Sequence, residues 1–247
     1  MAGPLKRIQS KPDIKESGLI IGGQTAVHEH LEASVRRHLE HSWRQPPHLP
    51  TVDVYRLLAK TVGFMDGSPF ILDSGCGTGS STQSLADNHP GHLVIGVDQS
   101  IARLARSGLT SSIQQTANCV LVRAELATFW RLLLKDGLVP DRHLLLYPNP
   151  WPKPGHLARR WHGHPVFPDL LSVGGEIELR CNWEIYALEF AQAVQLATGV
   201  TIKAQHIRPE TAISPFEKKY LERGHSLYGV TVAGTVTSRF SQSRLAP

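Results

Sequence analysis

The chain has little cysteine: Cys76, Cys119 and Cys181 are the three in 247 residues. None forms a CxxC pair and each falls in or beside a strand-like stretch, which excludes a disulfide framework. They read as small buried side chains of a reducing compartment, and a cytoplasmic protein is expected. No apolar run reaches the length of a membrane span. The start, Met1 to Lys15, is polar and basic and lacks a signal-peptide apolar core. No HExxH or Cys/His set occurs. His28, His30, His38 and His41 gather on one helical stretch and read as surface histidines, so neither a metal nor a membrane contact is expected.

Positive charge is what the chain does have. The formal net charge is +5 and the sequence pI is about 9.2. Lys6, Arg7, Lys11 and Lys15 crowd the start, Arg36 and Arg37 sit on a helical stretch, and Lys153, Arg159 and Arg160 lie close together. Such a distribution suits a polyanionic partner and suits equally a solvated basic face.

From Ala26 to His41, Val27, Leu31, Val35 and Leu39 recur every fourth residue, the mark of an amphipathic helix. Pro46, Pro47 and Pro50 break the chain, and Val52 to Val62 resumes helical spacing. Strands and helices then alternate. Strands are predicted at Phe70–Ser74, His92–Asp98, Cys119–Ala124, His143–Tyr147 and Glu176–Cys181. Helices fall between them near Ser80–Asn88, Ile101–Ser107, Glu125–Leu134 and Pro165–Leu171, with a longer one at Trp183–Thr198. Two late strands, Val200–His206 and Ser226–Val236, can pair as an antiparallel edge. This order predicts an α/β fold with a mainly parallel sheet covered on both faces. The expected division is a basic tail and helical extension over residues 1–50 and an α/β domain over 51–247.

Two strand ends carry special turn chemistry. After Phe70-Ile71-Leu72 comes Asp73-Ser74-Gly75-Cys76-Gly77-Thr78-Gly79. Gly75, Gly77 and Gly79 allow positive φ and close approach of a ligand to the backbone, although a tight strand-to-helix turn also accounts for them. Asp98 ends the second strand about 20 residues on, where an acid can accept ribose hydroxyls. Glu125 ends the third, where an acid can accept an adenine amine. The spacing departs from the dinucleotide fingerprint, and Asp73 would repel a pyrophosphate. It would welcome an ammonium group, and an acidic pocket complements a sulfonium, so S-adenosylmethionine is favoured over a nicotinamide dinucleotide.

The second special turn is Tyr147-Pro148-Asn149-Pro150-Trp151-Pro152-Lys153. Its prolines stiffen the backbone around Asn149. Trp151 offers a face on which a base can stack, and Asn149 offers both a donor and an acceptor to a base edge. A plain turn with a packing tryptophan would carry the same residues. His162-Gly163-His164, in the basic loop beyond it, is read as touching phosphate.

With these residues, the stretch from Phe70 to Val232 resembles the bacterial tRNA (guanine-N7)-methyltransferases. The likeness rests on Asp73 to Gly79, on Gly96-Val97-Asp98 and on Glu125. It continues through Pro148 to Arg160, Gly174-Gly175-Glu176, Cys181-Asn182-Trp183-Glu184-Ile185-Tyr186 and Ser214-Pro215-Phe216-Glu217. It implies a class I S-adenosylmethionine-dependent methyltransferase fold: Rossmann-like, seven mainly parallel strands with an antiparallel edge, plus an N-terminal helical extension. By resemblance, Asp73, Gly75, Gly77, Gly79, Asp98 and Glu125 would bind the cofactor. Asn149 would occupy the catalytic position and bind the cofactor as well. Lys153, Asn182, Ser214 and Glu217 would contact the nucleoside, with Trp151, Arg159 and Arg160 on the RNA. The partner implied is tRNA and the product 7-methylguanosine, from a monomer or homodimer.

The departures from the family bear on chemistry. Aspartate is usual where Asn149 and Asn182 stand, threonine where Ser214 stands, and often a basic residue where Pro215 stands. Methyl transfer to N7 needs no general base, because that nitrogen carries a lone pair and no proton; it needs alignment and stabilisation of a base that becomes cationic. An amide does the second less well than a carboxylate. Three readings are open: guanine-N7 methylation of tRNA, methylation of another acceptor such as an exocyclic amine or small metabolite, and a catalytically weak relative that binds tRNA.

Overall fold

The computed structural model describes Ile20, residues 23–62 and residues 64–245. Lys6, Arg7, Lys11 and Lys15 lie outside the described residues. The strands are β1 (Phe70–Ser74), β2 (Leu93–Asp98), β3 (Ile113–Thr116), β4 (Cys119–Arg123), β5 (Arg142–Leu146), β6 (Glu176–Cys181), β7 (Gln205–Ile207) and β8 (Leu227–Val232). They form one sheet in the order β3-β4-β2-β1-β5-β6-β8-β7. β4, β2, β1, β5 and β6 are mutually parallel. β1 is buried along its whole length, as expected of a strand covered on both faces.

Among the described residues the sheet has eight strands where seven were expected. The extra one, β3, pairs antiparallel with β4 across a tight turn in which Ala117 takes φ 51°. Its sequence, Ile-Gln-Gln-Thr, is partly exposed and carries no apolar alternation to betray it. At the other edge β8 runs antiparallel to both β6 and β7, so the antiparallel edge is as expected. β7 is shorter than expected. β8 ends at Val232, and the chain turns there into a last helix.

The helices are α1 (Leu31–Glu40), α2 (Leu49–Thr61), α3 (Ser80–Asn88), α4 (Ile101–Leu104), α5 (Leu126–Lys135), α6 (Phe167–Val173), α7 (Glu184–Thr198), α8 (Pro215–Glu222) and α9 (Gly234–Leu245). Pro50 does not break the chain; it lies in the first turn of α2, where a missing N–H costs nothing. α1 packs on α6 and α7, and α2 on α5. Leu31, Val35, Tyr55 and Leu58 therefore share one core with the sheet and with Phe129, Trp130 and Phe190. Each such side chain contributes about 1.5–3 kcal/mol by leaving water. Among the described residues no helix is long and apolar enough to cross a membrane.

β1 lies between β2 and β5, so the strand order reverses there. The crevice outside the carboxyl ends of β1 and β5 is the topological switch point where open α/β sheets bind ligands. One packing detail brings α3 close to the sheet beside it. A Cβ on Gly96 of β2 would stand 2.2 Å from Thr82 Oγ1, so the bare glycine lets α3 lie close on the sheet. Gly96→Ala is expected to push Thr82 away and destabilise the fold by about 1–3 kcal/mol through overpacking. An unchanged urea midpoint for this variant would show that the close approach is not needed.

Candidate active site

The turn after β1 leads straight into α3. Gly75, Gly77 and Gly79 have φ of 82°, 62° and 74°. At Gly79 space is as restrictive as conformation, since a Cβ would come within 2.7 Å of the Leu121 side chain.

The three strand-end acids are placed as the sequence implies, but each is engaged within the protein. Asp73 is fully buried. Its Oδ2 accepts hydrogen bonds from Ser81 Oγ (2.6 Å) and Thr82 Oγ1 (2.8 Å), while Oδ1 is buried with no partner among the protein atoms. Burial pushes its carboxyl up to about 6, against the two hydroxyl donors and with a smaller push from Asp98. Asp98 accepts from the Gly77 N–H (3.0 Å) and the Ser100 N–H (2.7 Å), and Arg103 lies 3.2 Å from its Oδ1. It thereby ties the glycine turn to the start of α4. Glu125 caps α5, accepting from the N–H groups of Ala127 (2.9 Å) and Thr128 (2.7 Å).

The second special turn leaves β5 beside the first. Tyr147 and Trp151 take φ of 52° and 45°, a region that costs a non-glycine residue about 1–3 kcal/mol. Both are held from behind. The Tyr147 hydroxyl donates to Glu217 Oε1 at 2.6 Å, and its N–H donates to the Arg180 carbonyl at 2.7 Å. Burial and the Glu217 carboxylate push the Tyr147 hydroxyl far up, so it stays a donor. The Trp151 carbonyl accepts from Arg160 Nε (3.2 Å) and Nη2 (3.0 Å), and the Lys153 carbonyl accepts from the same guanidinium at 3.3 Å. Between them Asn149 is exposed.

Arg160 thus differs from expectation. It is 0 % exposed and cannot lie on an RNA-facing surface. It pairs with Glu189 of α7 at 2.5 Å, and Glu189, also 0 % exposed, further takes His162 Nε2 at 2.8 Å, the His28 N–H at 2.9 Å and the Gln24 side chain. Burial alone would push the Glu189 carboxyl up; the His162 hydrogen bond and the Arg160 charge outweigh it and hold it down at about 2. Burial drives His162 down, so the neutral ring donates to Glu189. The reading of His162-Gly163-His164 as a phosphate contact is corrected with it: His162 is buried, and His164 packs edge-on against Trp43. Arg159 and Lys153 are exposed, with the Arg159 guanidinium 4.6 Å above the Trp151 ring.

A cleft of about 470 Å³ joins the two turns. Gly75 to Thr78 form one wall and Tyr147 to Pro150 another; Asn182 and the first turns of α8, from Ser214, complete it. Asn149 and Asn182 both face it, as the sequence pairing implies. Glu217 does not. It is fully buried, holding Tyr147, Arg180 (3.0 Å) and the Ile213 N–H (2.7 Å), while Ser214 Oγ caps α8 by accepting from the Glu217 N–H at 3.1 Å. Asp73, Asp98 and Glu125 are absent from the cleft wall, and Arg103, Arg106, Lys219 and Tyr220 belong to it unexpectedly. Tyr220 was findable, lying four residues from Phe216 on the helix opened by Ser214. Glu189 also had a signal: a carboxylate set among Tyr186, Ala187, Phe190 and Ala193 is a buried acid in need of a partner.

An open, mainly parallel sheet with a glycine turn and a polar turn sharing one cleft at its switch point defines a nucleoside-cofactor transferase of Rossmann-like class. Residues 67–230 match the family model described as "Putative methyltransferase". The tRNA (guanine-N(7)-)-methyltransferase of Stutzerimonas stutzeri is 30% identical over 177 residues, covering 67% of this chain and 72% of its own. That of Leifsonia xyli subsp. xyli is 28% identical over 65% of this chain and 74% of its own. That of Chromobacterium violaceum is 23% identical over 81% and 90%. Among solved structures, the 16S rRNA methyltransferase KamB aligns with a TM-score of 0.48 and 16% identity over 70% of this chain and 91% of its own. The chain belongs to the tRNA (guanine-N(7)-)-methyltransferase family, as a divergent member.

Removing one partner of a buried ion pair leaves an uncompensated charge. Arg160→Ala is therefore expected to destabilise the fold by about 3–5 kcal/mol, whereas exposed Arg159→Ala should stay within about 0.5 kcal/mol of the parent. Denaturant unfolding of the two variants checks this, and equal stabilities would contradict the buried role.

Proposed function

We propose that this protein transfers a methyl group from S-adenosylmethionine to N7 of a guanine in tRNA. The observation that carries the reading is the single cleft in which the glycine turn meets Asn149, Asn182 and the Ser214 turn. Family membership supports it, as do the exposed cations Lys153 and Arg159 beside the cleft. Residues 51–247 form the catalytic domain in this reading, and residues 1–50 an extension to it. The protein works in the cytoplasm, where its partner is.

The residues present fit the cofactor at the turn. The unpartnered Oδ1 of buried Asp73, behind the turn, suits an ammonium group, and the glycines, bare of side chains, let a ligand approach the backbone closely. Asp98 and Glu125 stand at the strand ends suited to ribose and adenine, where the ligand competes with Arg103 and with the first N–H groups of α5. When bound, S-adenosylmethionine supplies a methyl group activated by its sulfonium. The protein's own part is alignment. The strained, proline-braced turn presents the Asn149 amide to the base edge with little freedom left to lose. Trp151, under Arg159, offers a stacking face; Asn182 faces the same space. Ser214 and Glu217 act on the nucleoside through the shape of α8 and through Tyr147.

The amide at position 149 separates this reading from its alternative, an exocyclic amine as acceptor. Asn149→Ala should slow single-turnover transfer to unmodified tRNA by about a hundredfold while leaving cofactor affinity nearly intact. Asn149→Asp should preserve or raise the rate if guanine N7 is the acceptor, since a carboxylate accepts two N–H groups and offsets the forming charge. It should lower the rate if an amine is the acceptor. Equal rates in all three proteins would make Asn149 structural.

Asp73 gives a pH test. Its carboxyl is raised to about 6 in the fold, so between about 4 and 6 the native state holds a proton that the unfolded chain has released. The free protein should therefore lose stability as pH rises through that window, the reverse of a paired carboxylate. Cofactor binding needs the charged form, so affinity for S-adenosylhomocysteine should fall as pH drops below about 6. Asp73→Asn should weaken binding at neutral pH by about tenfold to a hundredfold and flatten that dependence. Calorimetry across pH reads both; a parent protein with pH-independent affinity would remove Asp73 from the ammonium site.

A further inference from the structure

Asn182 borders two clefts. Besides the one already described, it lines a second of about 850 Å³, walled by Trp183 and Glu184 at the start of α7 and by Arg223, His225 and Tyr228 between α8 and β8. The two spaces thus adjoin at one residue. The second has a size suited to a small organic ligand and a lining suited to a nucleotide: flat rings for a base, a guanidinium for a phosphate.

The rings are fixed in advance. The Arg160 guanidinium lies 4.9 Å from the Trp183 ring, so the buried ion pair that holds the acceptor turn also seats this tryptophan. Tyr228 packs edge-on against His206 at 5.8 Å. The partition between the clefts is itself aromatic. Phe216 and Tyr220, which border the first cleft, stack at 6.3 Å, and Tyr220 stacks on His225, which borders the second, at 5.2 Å and 18°. Phe216 is 47 % exposed, so part of its ring is open to a stacking partner. His225 Nδ1 is buried without a protein partner. Among the described residues of this wall Glu184 is the one acid, set against Arg223 and, on α8, Lys219.

We propose that the second cleft is a subsite for the nucleotide adjacent to the methylated one, so that the RNA strand passes from the first cleft by Asn182 and along the rings of α8. The subsite rests on the reading that the first cleft takes a base of RNA. It goes beyond that reading by assigning Trp183, Arg223, His225 and Tyr228 to the neighbouring nucleotide.

The test uses the full chain, unmodified tRNA, and short oligoribonucleotides with one guanosine flanked by increasing numbers of uridines on either side. For the parent protein, affinity should step up when the first flanking uridine is added on one side. Arg223→Glu and His225→Ala should each raise KM for tRNA by about tenfold, the worth of one stacked or phosphate-paired contact. The change should fall in KM and not in kcat, and the step should disappear from the oligonucleotide series. Because a variant could fail through misfolding, 4-thiouridine next to the target guanosine is crosslinked to the parent protein; the crosslink should map to Trp183 or to residues 223–228. Variants with parental KM and an unchanged step, or a crosslink elsewhere, would overturn the subsite while leaving the methyltransferase reading intact. A parent protein that transfers methyl to no RNA would overturn both.

Discussion

A buried carboxylate decides where the turn after β5 sits. Glu189 on α7 gathers Arg160, His162, Gln24 and the His28 backbone into one network, and through Arg160 it reaches the carbonyls of Trp151 and Lys153. Burying two charges is unfavourable unless their remaining donors and acceptors are filled, and here they are. The network yields geometry more than stability: one guanidinium fixes the end of the turn, the ring of Trp183, and the segment that enters α1. The N-terminal helices are thereby coupled to the active cleft through a salt bridge that never meets solvent.

Behind the glycine turn the same logic holds with a different balance. Asp73 is desolvated yet one of its oxygens is left unfilled. An interior carboxylate with a vacant acceptor is unfavourable in the free protein and becomes favourable when a cation arrives. Asp98 and Glu125 are by contrast filled by backbone N–H groups, so their first task is to shape the turn and to begin α5. Three acids at three strand ends are thus not three equivalent ligands, a distinction that depends on which hydrogen bonds close locally.

Much of the fold was legible because it is local. β1, α3 and β6 have the bounds expected from apolar runs and glycine turns, and the parallel order comes from their alternation with helices. β3 was hidden because a short edge strand needs neither apolar residues nor alternation. α9 was hidden because Gly234 to Leu245 shows little amphipathic pattern. In the site, the glycine turn and Asn149 were legible from their chemistry, and their union with Asn182 and Ser214 from the family resemblance. The burial of Arg160 and Glu217 was not. Sequence shows an arginine beside an arginine, and only the three-dimensional position of Glu189 separates the one that turns inward from the one that stays out.

Two residues with positive φ flank Pro148-Asn149-Pro150, and each is clamped by a group outside the turn. The side chain at the tip adds one long hydrogen bond of its own, Asn149 Oδ1 accepting from the Trp151 N–H at 3.4 Å, which an aspartate could accept equally. Position 149 behaves like an interchangeable bit in a fixed holder: carboxylate or amide can be presented at the same place without refolding anything around it. Aspartate and asparagine codons differ by a single nucleotide, so one point mutation exchanges carboxylate for amide at this position.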